Sequence, residues 1–302
     1  MSEQELIQKE NVQQDKNKRS HRKIWDTLPI IYIVTFLMIL GGEIIGAFIQ
    51  LLPIMRSNDA WITASLYLSF IGIWVFAVFC LIVSKKKRSI LQELGTRPKG
   101  NNGLLFLLGL LIGAGLNGIC ILIAWLNQDI VLYSDTFHPI SFLLIFVAVF
   151  IQSAAEEFMS RGYMYQRLRR SYANPWVAII GNSIFFGLLH LFNDGVTVLS
   201  ILNICLTGLL FSFMVYYFDS LWCAMAAHTA WNFTQNIIFG LPNSGMVVPY
   251  SVWKLDVSTA RNSFAYNVGF GIEGTLVADV VLLIACVALY FYGKKNQENA
   301  ES

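Results

Sequence analysis

Charge is what this chain has least of. Asp, Glu, Lys and Arg make up only 13% of its 302 residues, about half the share of an ordinary soluble domain, so no segment offers the surface of a solvated globule. The net charge of +2 gives no basis for a nucleic-acid partner. The five cysteines are isolated within apolar segments and form no C-x-x-C pair, which leaves them as packing residues rather than a disulfide framework or a thiolate metal site. Internal repeats and low-complexity tracts are missing from the apolar part. Without inverted repeats or paired broken helices, a secondary transporter is disfavoured. There is no H-E-x-x-H helix, no Ser/Lys or Ser/His pairing and no aspartate dyad.

What the chain does have is oil: 56% of its residues are hydrophobic. Apolar runs cover 29–55, 61–84, 103–126, 140–165, 175–193, 197–218, 221–240 and 273–292, each near the ~20 residues that cross a bilayer. The runs are continuous rather than alternating, so they predict helices and not a barrel. The expected fold is an all-α polytopic membrane protein of about eight transmembrane helices. Its organisation is a basic, disordered tail (1–27), a helical membrane domain (28–293) and a short tail (294–302). No cleavable signal is expected, because the first apolar run is far longer than a signal-peptide core. Gly109 and Gly113 have the G-x-x-x-G spacing that lets helices approach closely. The stretch 241–270 is a long polar-aromatic connection that could serve as a lid, an interfacial platform or a partner-binding loop.

Of the 21 lysines and arginines, only Arg56, Lys254 and Arg261 fall outside one side of this arrangement. By the positive-inside rule both termini are cytoplasmic. Short inner loops and the absence of organelle signals point to a bacterial plasma membrane.

Ionisable residues within such spans are costly and mark function by default. Glu43, Glu156, Glu157, Arg161, His190, His228 and Asp279 are the candidates. Around the Asn174-Pro175 breaker, Glu157 lies 16 residues before Ala173 and His190 17 after it, so a helical hairpin brings both about 25 Å from the turn. His228 lies about 12 Å along the helix that starts near Ser220 on the same side. Glu157 and Arg161 are i,i+4 and can pair; Glu156, about 100° around the helix, lacks that partner and is the freer carboxylate. His228 and Asn232 share a face, as do Phe186 and His190. A carboxylate and an imidazole can hold and deprotonate water, while a second imidazole and an amide can donate to an oxyanion. Alternatively, Glu156, His190 and His228 are three ligands of a divalent metal such as zinc, with a fourth position for water.

These residues sit in three motifs. "EEFMSR" (Glu156–Arg161), "FGLLH" (Phe186–His190) and "HTAWN" (His228–Asn232) resemble, in order and separation, the E-E-x-x-x-R, F-x-x-x-H and H-x-x-x-N motifs of the CPBP (Abi) family of CAAX-protease and bacteriocin-processing intramembrane endopeptidases. The resemblance covers about 140–240, with helices 4–7 forming the active site. It implies that Glu156 is the general base, that His190 helps hold the water, that His228 and Asn232 stabilise the oxyanion, and that Glu157 and Arg161 support them. It also implies a membrane-associated peptide or protein substrate of the prenylated CAAX, peptide-pheromone or bacteriocin class. The alternative is a non-catalytic membrane regulator or bacteriocin self-immunity protein of the same fold.

The charge bias is open to a direct check. Fused to the C-terminus, green fluorescent protein should fluoresce and alkaline phosphatase should stay inactive; an active phosphatase would reverse the orientation.

Overall fold

The computed structural model describes residues 24–83, 92–96 and 98–301. Most of the basic leader, the Lys85–Arg88 cluster and Arg97 lie outside the described residues. Helix α1 (Leu28–Ala47) leads through two 3₁₀ turns into α2 (Asp59–Leu68) and α3 (Ile71–Val83). Then come α4 (Gly103–Leu126), β1 (Leu132–Ser134) and α5 (Pro139–Glu157), which runs on through a π-helical turn (Phe158–Tyr165) into α6 (Gln166–Ser171). Helices α7 (Pro175–Leu189), α8 (Val198–Phe218) and α9 (Leu221–Asn232) follow; α9 ends in a second π turn (Phe233–Ile238), and β2 (Trp253–Leu255) precedes α10 (Leu276–Glu301). The segment expected as a tail from 294 onward is helical and continues α10.

The all-α polytopic architecture read from the apolar runs is the one the chain adopts. Among the described residues six helical stretches are long and apolar enough to cross a membrane: Leu28–Leu51, Asp59–Cys80, Gly103–Leu126, Pro139–Ser171, Val198–Phe218 and Leu276–Asn299. Helix α7, at 15 residues, and α9, at 12, are shorter.

Local chemistry explains where the helices begin. Asn58, Asn102, Asn174 and Ser220 each accept a hydrogen bond from a backbone N–H of the first turn they precede, and Thr197 forms a capping box with Ser200, which satisfies donors that a helix start leaves open. Pro139 and Pro175 occupy first-turn positions, where a missing N–H costs nothing.

Helix α9 is the centre. Apart from Trp222 every residue from Leu221 to Asn232 is buried, and its run of Ala, Cys and Met lets neighbours close in from all sides. A side chain on Gly109 would collide with the carbonyl of Cys223, and one on Gly113 with that of Ala227. The G-x-x-x-G stripe is therefore the face on which α4 meets α9, one residue from His228. Nearby, Asn117 donates to Gln235 (2.7 Å).

The connection after α9 is hydrogen-bonded down onto the helices. Asn236 donates to the carbonyls of Leu241 and Met246, and Gln235 to that of Pro242. Gly271 has φ +90° and sits where a Cβ would strike the Pro242 carbonyl, so only glycine fits this turn. β1 and β2 pair antiparallel with Tyr133 opposite Lys254. Lys254 reaches Asp135 (2.6 Å) and holds its carboxyl below the usual range.

Gly113→Ala should lower the unfolding midpoint in detergent, by overpacking worth about 1–3 kcal/mol. Gly115→Ala on the same helix, where a Cβ meets nothing within 4 Å, should leave the midpoint unchanged.

Candidate active site

Both π turns begin directly after motif residues, one after Glu157 and the other after Asn232. A π turn carries an extra residue and re-aims the side chains that follow, which is why such turns concentrate at functional positions. The first is braced from α7, where Asn182 donates to the Ser160 carbonyl (2.6 Å) and accepts from Ser212.

Glu157 and Arg161 are both fully buried and pair at 2.8 Å, as their spacing predicts. The pair reaches further than that spacing shows. The second terminal nitrogen of Arg161 donates to the Gly208 carbonyl of α8 (3.0 Å), and its guanidinium lies over the Phe186 ring, 4.5 Å from the centroid. The Glu157 oxygen that accepts from Arg161 also lies 3.1 Å from His228 Nδ1. A carboxylate only accepts, so this contact assigns the His228 proton to Nδ1 and turns Nε2 toward Glu156 Oε2, 3.7 Å away.

Glu156 lacks the Arg161 partner, as its position on the helix predicts, but it is not without a hydrogen bond. Gln152, one turn earlier, donates to it at 2.6 Å and in turn accepts from Asn232 at 3.1 Å. It does differ from Glu157 in facing open space: Glu156 lines a cavity of about 260 Å³ together with His190, His228 and Asn232, whereas Glu157 and Arg161 stand behind the wall. His190 follows the last residue of α7, and its Nδ1 lies 2.9 Å from the Phe186 carbonyl. A carbonyl also only accepts, so Nδ1 carries the proton and the Nε2 lone pair is left available. The Phe186 ring packs 5.1 Å from His190 and edge-on to His228 at 5.9 Å, while Phe211 stacks on His228 at 5.4 Å.

Among the polar residues at this cavity that escaped the sequence reading are Gln152, Asn243, Ser244 and Glu273. Asn243 donates to Asn232 and to Glu273, and Glu273 also accepts from the Trp231 indole (2.9 Å) and from the backbone and side chain of Ser244. Burial pushes the Glu273 carboxyl up, and these donors oppose the rise. Gln152 lay four residues before Glu156, a spacing that could have revealed it. The other three sit in or beside the long connection, which lines one wall of the cavity. Glu43 lines the cavity from α1, while Asp279 is buried elsewhere.

A metal does not fit the donors as they stand. Among the described residues, no three His, Cys, Asp or Glu side chains converge closely enough to hold an ion. The second carboxylate is committed to Arg161 and His228.

The arrangement is that of a polytopic membrane protein with a carboxylate, two imidazoles and an amide around one cavity. Residues 138–234, from the start of α5 into the second π turn, match the family described as type II CAAX prenyl endopeptidase Rce1-like. This matched segment contains all three motifs. No curated protein matches the chain.

Arg161→Ala would leave Glu157 buried without its cation. Losses of that kind are worth about 3–5 kcal/mol, so the unfolding midpoint in mixed micelles should fall steeply. Arg161→Lys should recover only part, since an ammonium lacks the fork that reaches Glu157 and Gly208 together.

Proposed function

We propose that the chain is an intramembrane endopeptidase that hydrolyses a peptide bond of a membrane-associated protein or peptide by a water activated on Glu156. The observation that carries this reading is the lining of one cavity by Glu156, His190, His228 and Asn232. In the proposed reaction His190 Nε2 accepts a hydrogen bond from the water, and the Glu156 carboxylate takes a proton as the water oxygen attacks the scissile carbonyl carbon. Asn232, with one amide hydrogen on Gln152 and the other available, donates to the oxyanion that forms. His228 can join it only as an imidazolium, because its Nδ1 proton is held on Glu157. The proton on Glu156 then passes to the amide nitrogen, the C–N bond breaks, and the carboxylate is regenerated. Glu157 and Arg161 position His228 and the wall behind it. No step uses a metal.

The Rce1-like segment favours a substrate of the CAAX prenyl-protein class, with pheromone and bacteriocin precursors as related possibilities. The charge bias supports cytoplasmic termini, and the short inner loops favour a plasma membrane.

Purified wild type and Glu156→Gln are to be followed by mass spectrometry on prenylated and unprenylated membrane peptides, with and without chelator. Wild type should cut, and the variant should lose at least about 10³-fold in rate while unfolding at the same midpoint. Equal cleavage by both would remove Glu156 from the mechanism. Loss of wild-type cleavage in chelator, restored by zinc, would reinstate a metal.

A further inference from the structure

The cavity has two walls of different origin. The motif residues come from α5, α7 and α9, whereas Phe36, Leu40, Glu43 and Phe70 come from α1 and the bend between α2 and α3, outside the family-matched segment. On that second wall Glu43 is the single charged group. It lines the cavity from α1, and among the described residues it has no hydrogen-bond or ion-pair partner. Its position within the span Leu28–Leu51 makes a lone carboxylate costly unless a cation or water meets it.

Among the described residues no lysine or arginine lines the cavity. Its acidic groups are Glu43, Glu156 and Glu273, and of these Glu156 is held by Gln152 and Glu273 by its four donors. The nearest buried cation, Arg161, is spent on Glu157 and the Gly208 carbonyl. A second, independent group also awaits a ligand. Other buried hydroxyls in these helices donate to a carbonyl one turn back, as Ser183, Ser212 and Thr229 do. Ser160, 1% exposed and lining the cavity, is the one serine or threonine among the described residues whose buried hydroxyl has no partner. The cavity thus offers an unpaired carboxylate on its second wall and an unpartnered hydroxyl on its motif wall; a basic side chain of a bound peptide would pair with the first and its peptide group with the second.

We propose that Glu43 is a specificity-determining residue, which selects substrates carrying a lysine or arginine side chain beside the scissile bond by pairing with it on the second wall of the cavity. The Ser160 hydroxyl is left for the substrate's peptide group. The selection deepens the endopeptidase reading and rests on it for turnover, though not for binding.

The test uses end-blocked membrane peptides, matched in sequence except for Lys, Gln or Glu at each position flanking the cut bond. Wild type should cleave the best-placed Lys peptide about tenfold faster in kcat/KM than its Glu counterpart, mostly through KM. Glu43→Gln should flatten that difference and Glu43→Lys should invert it. In parallel, fluorescent versions are titrated onto Glu156→Gln and Glu43→Gln/Glu156→Gln protein. Lys-preferring binding that disappears with Glu43 upholds the proposal even where no peptide is cut, an outcome that would sink the endopeptidase reading alone. Cleavage with no Lys preference, or a preference that survives both Glu43 substitutions, overturns the role of Glu43 and leaves the endopeptidase standing.

Discussion

One buried ion pair holds the site in register. Arg161 and Glu157 sit on α5 and its π turn, but their bonds reach the α8 backbone at Gly208, the α9 imidazole at His228 and the α7 ring of Phe186. In a hydrocarbon layer there is no water to satisfy a stray donor, so a guanidinium placed there must find its partners on the neighbouring helices. That requirement turns one side chain into a tie among four helices. It also sets the His228 tautomer, which decides what the imidazole presents to the cavity.

Around this tie the polar network is continuous. Gln152 links Glu156 to Asn232, Asn243 links Asn232 to Glu273, and Glu273 secures Ser244 and Trp231. The carboxylate proposed to work on water is therefore restrained from two helices and, through them, from the long connection. Such restraint keeps the water-binding groups positioned without reorganisation. The same connection lines one wall of the cavity, while α1 and the α2–α3 bend supply the wall that carries Glu43.

Close approach of α4 to α9 makes this geometry possible. With the backbones in contact at Gly113 and Ala227, the helix that carries His228 and Asn232 is enclosed on every side. A helix buried this way needs neither the length nor the hydropathy of a lipid-facing one. That is why the α9 segment, read as a span of ordinary length, is a short central rod ending in a π turn.

The sequence by itself determined the fold class and the motif segment, because apolar run length and i,i+4 spacing are local properties that survive in one dimension. The Glu157–Arg161 pair and the Phe186–His190 contact were legible for that reason. Only the tertiary structure decided that Glu156 is held by Gln152, that Glu157 is shared between Arg161 and His228, and that Asn243, Ser244, Glu273 and Glu43 face the same cavity. Those relations join residues up to more than a hundred positions apart through backbone turns and helix packing. A helical wheel shows which side a residue faces; it takes the neighbouring helices to show what it meets there.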